Sequence, residues 1–255
     1  MRITTLLLVF LAACGFDRIP AVGSGPPADP ARSTVTVDRA TGVIADGMDQ
    51  VSITVTLLDS AGNPLVGRDV VLDATGSIAS NLLTQPVAPT DISGVATGML
   101  RSTVADAKQI AATADPGTNA VALAQQPTVQ FIAGPAAALA FVVAPADTIA
   151  GAPIPVQVAV EDATGNVVTS ATPSIGLAFA TNPDGGSLAG TTTVPAVAGV
   201  ATFSDLAVDL PGAYALRASS DGVVAATSIT LLRSGGPRRY SSWRSRRRGR
   251  ACRRR

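Results

Sequence analysis

Apolar and polar residues alternate along several short segments of this chain, which is the pattern of a half-buried β-strand. The clearest examples are residues 51–57 and 155–160. Further candidate strands are residues 34–38, 69–73, 95–100, 109–113 and 128–132 in the first half, and 139–143, 175–180, 200–203, 214–218 and 223–231 in the second. Turn residues separate these segments about every ten positions, and no segment has a sustained helical period with caps. The pattern predicts an all-β protein with about six or seven strands in each half.

Two motifs recur at nearly the same offset. Asp-Ser-Ala-Gly-Asn at 59–63 returns as Asp-Ala-Thr-Gly-Asn at 162–166, which is 103 residues later. Gly-Val-Ala-Thr at 94–97 returns at 199–202, which is 105 residues later. A repeat of about a hundred residues has the length of one immunoglobulin (Ig)-like domain. The fold class predicted is therefore all-β, with two tandem Ig-like antiparallel β-sandwiches.

Tyr214 follows Gly212 and Ala213 and precedes a late strand of the second half. A tyrosine at this place in an Ig sandwich forms a tyrosine corner, in which its hydroxyl bonds to the backbone of the preceding loop. Gln109 lies near the equivalent position of the first half. We therefore expect this device only in the second half.

The first half resembles the bacterial Ig-like group 1 domain, the type found in invasin and intimin. The resemblance rests on Ala-Asp-Gly at 45–47, the alternating strand, the Asp-x-x-Gly-Asn turn followed by Pro64, and Gly-Val-Ala-Thr. The second half looks like a more divergent module of the same kind, with Ala150-Gly151 and the run at 199–206 as its marks. The resemblance implies non-enzymatic modules that form rods and hold a binding domain away from the cell.

The N-terminus has the features of a secretory signal. Arg2 precedes an apolar run at residues 3–13, which is shorter than the roughly 20 residues of a membrane-spanning helix. Leu-Ala-Ala-Cys at 11–14 resembles the lipobox of bacterial lipoproteins, which implies a diacylglycerol on Cys14 after cleavage. Gly15, rather than aspartate, then implies the outer membrane. The alternative is an ordinary secretory signal that happens to contain a cysteine.

Charge is distributed unevenly along the chain. The last 23 residues, 233–255, hold 11 of the 19 basic residues and no acidic one, so the remainder carries 8 basic against 18 acidic residues. The tail has little apolar material, so we expect it to be disordered and to bind polyanions such as lipopolysaccharide. Nucleic acid is not an expected partner in vivo. The candidate polyanion-binding residues are Arg238, Arg239, Arg244, Arg246, Arg247, Arg248 and Arg250. The alternative is that this segment is an artefact of a shifted reading frame.

The chain contains no histidine, which excludes histidine-assisted serine or cysteine catalysis and histidine-based zinc sites. Cys14 is expected to carry lipid, so Cys252 has no partner for a disulfide within the chain. Asp59 with Asn63, and Asp162 with Asn166, could each offer calcium two side-chain ligands. We favour a hydrogen-bonded turn at both places. No enzyme activity, cofactor or metal is therefore predicted.

These patterns predict a surface lipoprotein that presents Ig-like modules as an adhesion or spacer stalk. Its anchor would be the outer membrane, and its partner a protein or glycan surface ligand. The alternative is an envelope lipoprotein that binds polyanions through its basic tail. The expected segments are a signal peptide at 1–13, a Pro/Gly linker at 14–33 that could reach about 60 Å, Ig-like domains at 34–133 and 134–232, and the tail at 233–255.

Overall fold

The computed structural model describes residues 25–234. The chain divides into two compact units, with the division between Ile132 and Ala133. Among the described residues, no helix has the length and apolar character needed to cross a bilayer.

The first unit contains nine strands and one short 3-10 helix at Ile78–Ser80. The strands are β1 (Thr34–Val37), β2 (Val43–Ile44), β3 (Val51–Thr56), β4 (Val70–Ala74), β5 (Asn81–Thr84), β6 (Val95–Ser102), β7 (Ala107–Ala114), β8 (Val121–Ala122) and β9 (Thr128–Ile132).

These strands form two sheets. One has the order β1-β3-β6-β5, and the other has the order β2-β9-β7-β4 with β8 paired to β7. All pairs are antiparallel except β2 with β9, which is parallel. The first sheet corresponds to strands A, B, E and D of an Ig sandwich, and β4, β7 and β9 correspond to C, F and G.

The core of the first unit is built from small branched side chains. Along β3, the residues Val51, Ile53 and Val55 are buried, while the alternate residues are only partly so. They pack in one cluster with Leu100 of β6 and Phe131 of β9. The period of two therefore places one face of each sheet in the core, as the sequence predicts.

The second unit contains ten strands. They are β10 (Ala138–Val143), β11 (Thr148–Ile149), β12 (Ile154–Glu161), β13 (Ser174–Thr181), β14 (Leu188–Ala189), β15 (Thr193–Pro195), β16 (Val200–Val208), β17 (Gly212–Ser219), β18 (Ala226–Thr227) and β19 (Leu231–Ser234).

The second unit repeats the strand order of the first and adds one strand, β15, at the edge of one sheet. One sheet has the order β10-β12-β16-β14, and the other has the order β11-β19-β17-β13-β15 with β18 paired to β17. The pair β11–β19 is parallel, like β2–β9. Two all-β units of one strand order confirm the predicted pair of Ig-like sandwiches.

The strand predicted at residues 223–231 is wrong. Only β18 and the first residue of β19 fall in this range. The chain leaves the ladder at Ser228, whose hydroxyl accepts a hydrogen bond from the Leu216 N–H (2.9 Å) while its own N–H donates to the Leu216 carbonyl (2.8 Å). The last strand continues to Ser234, so Arg233 belongs to β19 and not to the tail.

The linker expected at residues 14–33 also needs correction over its described part. Ala28 is only 4% exposed and belongs to the core cluster of the first unit. Asp29 caps the turn that follows it, since its Oδ1 accepts hydrogen bonds from the N–H groups of Ala31 (2.9 Å) and Arg32 (3.1 Å). Residues 26–33 are therefore packed on the first unit.

Candidate functional site

The site residues proposed from the sequence lie outside the described part of the chain. These are Cys14, the candidate lipidation site, and the arginines at positions 238, 239, 244, 246, 247, 248 and 250. Both sites stay predictions. The repeated motifs, by contrast, fall within the two units.

Asp59 organises the turn of the first unit. Its Oδ1 accepts hydrogen bonds from the N–H groups of Ala61 (2.9 Å) and Asn63 (2.8 Å), and its Oδ2 accepts one from Asn63 Nδ2 (3.0 Å). The bond from the Asn63 side chain, followed by the bond from the Asn63 backbone, lowers the pKa of Asp59. The aspartate and asparagine of the motif thus hold each other in place.

Asp162 does the same in the second unit and accepts more bonds. Its Oδ1 is bonded to the N–H groups of Thr164 (2.9 Å) and Asn166 (2.9 Å), and its Oδ2 to the N–H of Gly134 (2.8 Å) and to Asn166 Nδ2 (3.1 Å). Burial alone would raise the pKa of Asp162. The hydrogen bonds from Gly134, Asn166 and Thr164 outweigh burial and lower this pKa to about 2.

These contacts favour the hydrogen-bonded turn over a calcium site. Oxygen ligands for calcium must come in clusters of six to eight, and both carboxylate oxygens of Asp59 and of Asp162 already accept N–H groups. Within residues 25–234, no group of three or more acidic, histidine or cysteine side chains is placed to hold a metal ion.

The backbone requires glycine at the first position of Gly-Val-Ala-Thr in both units. Gly94 and Gly199 have φ angles of +74° and +79°. A Cβ atom would lie 2.6 Å from the Leu57 carbonyl oxygen at the first position and 2.5 Å from the Val168 carbonyl oxygen at the second. The repeated motif therefore marks a close approach of two backbone segments.

Tyr214 forms the predicted tyrosine corner. Its hydroxyl donates to the Leu210 carbonyl (3.2 Å), its side chain is fully buried, and its ring lies 5.3 Å from that of Phe179. Burial, reinforced by Asp184 and Asp209, raises the pKa of the hydroxyl. The bond fixes the loop before β17 to the strand.

In the first unit, the inward-facing residue at the corresponding place is Lys108, because Gln109 is exposed. Lys108 is 0% exposed, and its Nζ lies 2.5 Å from Oδ1 of Asp106 in the loop before β7. Burial opposes ionisation of Asp106, but the contacts with Lys108 and with Ser77 lower its pKa below the usual value. The first unit thus joins loop to strand with an ion pair.

In each unit, the strand beside the one that carries Lys108 or Tyr214 contributes a second large side chain. These strands are β9 and β19. Phe131 of β9 lies 5.9 Å from Lys108 Nζ, while β19 has Arg233 at the matching place in the parallel pair. Arg233 donates to the Ala152 carbonyl (2.7 Å), and burial lowers its pKa. Each unit therefore has one cation and one aromatic ring on adjacent strands. In the first unit the cation is on β7 and the ring on β9, whereas in the second unit the ring is on β17 and the cation on β19.

Sequence reasoning missed a third buried cation. Arg68, between β3 and β4, pairs with Asp115 (2.8 Å) and donates to the Pro26 carbonyl. The side chains of Arg68 and Asp115 are 6% and 14% exposed. Neither residue stands in a motif, so no signal along the chain marks the pair.

The second unit has a polar surface cleft of about 390 Å³. It is lined by Pro173, Ser174, Ser219, Ser220 and Asp221. The Ser220 hydroxyl donates to the Ser174 carbonyl (2.8 Å). The cleft offers hydroxyls and one carboxylate, which suits hydrogen bonding to a ligand.

Several solved structures are similar to this chain at low identity. The adhesin InvE of Yersinia pseudotuberculosis is 18% identical over 83% of this chain and 61% of that structure, with a TM-score of 0.42. The Escherichia coli adhesin FdeC is 17% identical over 82% and 66%, with a TM-score of 0.44. Invasin, described as a bacterial integrin-binding protein, is 18% identical over 81% and 41%, with a TM-score of 0.47. The chain spans less than two thirds of each of these three structures.

No curated protein matches the chain. Residues 32–132 match the family of the bacterial Ig-like domain (group 1). This segment covers the strands β1 to β9 and the motifs that suggested the resemblance. The first unit of this chain is therefore similar, over residues 32–132, to the bacterial Ig-like domain (group 1).

Proposed function

We propose that this chain is a lipoprotein of the bacterial outer membrane whose two Ig-like units act as an adhesion or spacer stalk. In this proposal Cys14 carries the lipid, and the units contact a protein or glycan ligand through loops and sheet faces. The chain performs no catalysis.

The observation that carries the proposal is the duplicated sandwich, whose first copy is similar to a bacterial Ig-like domain. The use of its polar side chains supports a role in binding or spacing. Asp59 and Asp162 accept the N–H groups of their own turns, and Asp106 and Asp115 pair with buried cations. These carboxylates stabilise loops, so they are not available for acid–base chemistry.

The anchor is tested by replacing Cys14 with serine, with Cys252→Ser as the matched control. We expect the first variant to become soluble or to stay unprocessed, with its signal peptide attached, and the second to stay processed in the membrane fraction, because two or more acyl chains are needed for stable attachment. Protease added to intact cells then reports whether the units face outward. Unchanged membrane partitioning of Cys14→Ser together with normal processing would contradict lipid anchoring.

A second candidate function rests on the tail after β19, where 10 basic residues fall within 235–255 with no acidic one. In this alternative the tail binds lipopolysaccharide or another envelope polyanion. The test is truncation after Ser234, which keeps β19 intact. Binding to lipopolysaccharide should weaken with salt and disappear on truncation. Binding that survives truncation removes the basis of this alternative.

A further inference from the structure

Residues 26–33, which we call the N-terminal strap, are held on the first unit by backbone and side-chain contacts. Ala28 is buried in the core. The Asp29 N–H donates to the Leu58 carbonyl (2.8 Å), and the Ala124 N–H donates to the Pro30 carbonyl (3.0 Å). The strap therefore bridges the end of β3 and the segment that leads into β9.

Arg68 holds the start of the strap. One side of its guanidinium pairs with Asp115, and the other donates to the Pro26 carbonyl. Pro26 is thus fixed to two loops of the first unit, the one after β3 and the one after β7.

The strap and the last residue of the first unit lie at opposite ends of the sandwich. The Val35 N–H donates to Gln125 Oε1 (3.2 Å), so β1 begins beside the segment that precedes β9. The chain then runs on through β2, which is parallel to β9 and ends beside Ile132. A pull between the N-terminal side of Pro26 and Ile132 therefore acts along the strands.

The strands of the sandwich and the N-terminal strap resist such a pull differently. Parallel strands pulled from opposite ends slide past each other, so the bonds of β2 with β9 are loaded together. The same applies to β1, which is pulled lengthwise along β3. The strap, by contrast, has its bonds spaced along it, at Pro26, Asp29, Pro30 and finally Ser33, whose hydroxyl accepts a bond from the Leu58 N–H (3.0 Å) and donates to the Leu58 carbonyl (3.3 Å). These bonds are loaded one after another, beginning at Pro26.

We propose that the N-terminal strap is a force-sensitive extension of the tether. Tension on the N-terminus releases residues 26–33 while the sandwich stays folded, and the strap binds again when tension falls. At about 3.3–3.6 Å per extended residue, the released strap spans up to about 25–30 Å, so the tether lengthens by this amount less the distance that the bound strap already covers. The source of the tension rests on the proposed membrane anchor, but the behaviour of the strap does not.

Single-molecule stretching tests the proposal on the full, unlipidated chain. Its two cysteines, at positions 14 and 252, provide attachment points for the handles. We expect a short reversible step, smaller than about 25–30 Å, before the long unfolding steps. Arg68→Ala should lower the force of the short step and leave the long steps in place. Arg32→Ala is the matched control, because Arg32 is in the strap but its side chain is 58% exposed.

Native-state hydrogen exchange gives a second measurement. Its first comparison uses the wild-type chain and therefore does not depend on how well Arg68→Ala folds. In the wild-type chain, the amides of Asp29 and Ala124 should exchange faster than that of Leu57, which is buried and donates to the Gly94 carbonyl (2.8 Å). Arg68→Ala should accelerate the first two by roughly 10- to 100-fold relative to Leu57.

Two results overturn the proposal. One is a stretching trace without the short step. The other is exchange of the Asp29 and Ala124 amides at the rate of Leu57, which would make the strap part of one cooperative unit. Either result leaves the membrane anchor untouched, since the fractionation of Cys14→Ser tests that separately.

Discussion

The hydrogen bonds that converge on Asp162 can be tested by replacing this residue with asparagine. Asparagine keeps the shape of the side chain but removes the charge, so it stands in for the protonated aspartic acid. Each tenfold change in proton affinity corresponds to about 1.4 kcal/mol. Lowering the pKa from 3.8 to about 2 therefore stabilises the folded unit by about 2 kcal/mol once the carboxylate is ionised.

The sign of the pH dependence follows from the same shift. The pKa of Asp162 is lower in the folded unit than in the unfolded chain, so the unfolded chain binds the proton more readily. The stabilisation is complete above the unfolded value of 3.8 and is lost as the pH falls through the folded value of about 2. Asp162→Asn should therefore cost about 2 kcal/mol at pH 7 and about 1 kcal/mol at pH 3.

Urea unfolding followed by pulsed hydrogen exchange and mass spectrometry measures each unit separately. The second unit should lose stability while the first is unchanged, and Asp221→Asn, at an exposed position, should change neither. A cost that is the same at pH 3 and pH 7 would show that the charge plays no part. The absence of a cost at pH 7 would refute the role given to the hydrogen bonds.

Three further substitutions test the other contacts. Tyr214→Phe removes one hydrogen bond and keeps the ring, so it should cost the second unit about 1 kcal/mol in thermal unfolding; an unchanged melting temperature would contradict the tyrosine corner. Lys108→Ala should cost about 3 kcal/mol or more in urea unfolding because it opens a cavity and removes the cation that pairs with Asp106, and Lys108→Met should recover part of this by filling the cavity. Gly199→Ala should cost at least about 2 kcal/mol, since a left-handed φ and a steric clash add together. At Gly222, where φ is +76° and no atom lies within 4 Å of the added Cβ, alanine should cost only about 1–2 kcal/mol, and equal costs would refute the clash.

The long strands could be predicted because their alternation spans enough residues to define a face. The burial of every second residue along β3 follows directly from residues 51–57. The motif turns could be predicted for a similar reason, since aspartate, glycine and asparagine bond within a few residues of themselves. The tyrosine corner belongs to the same local class, because Tyr214 bonds to a carbonyl four residues earlier.

The short strands could not be found this way. Strands such as β2, β8 and β18 have two residues each, which leaves no room for a period. They form because the edge of a neighbouring strand offers partners at that place. At residues 223–231 the alternation predicted one long strand that does not form. There the Ser228 hydroxyl accepts the Leu216 N–H, and the chain leaves the ladder at this point.

By itself, the sequence determined the fold class, the repeat of about a hundred residues and the turns, because these depend on periods and contacts that are local in the chain. Only the tertiary structure decided which charged side chains are buried. Lys108, Arg68 and Arg233 read as exposed residues along the chain, yet each lies inside a sandwich. The partner of Lys108, Asp106, is local in the chain, but Arg68 and Arg233 are buried against Asp115 and the Ala152 carbonyl, which are 47 and 81 residues away. A charged side chain is costly to bury without polar partners, and where those partners are distant in the chain only the fold brings them together.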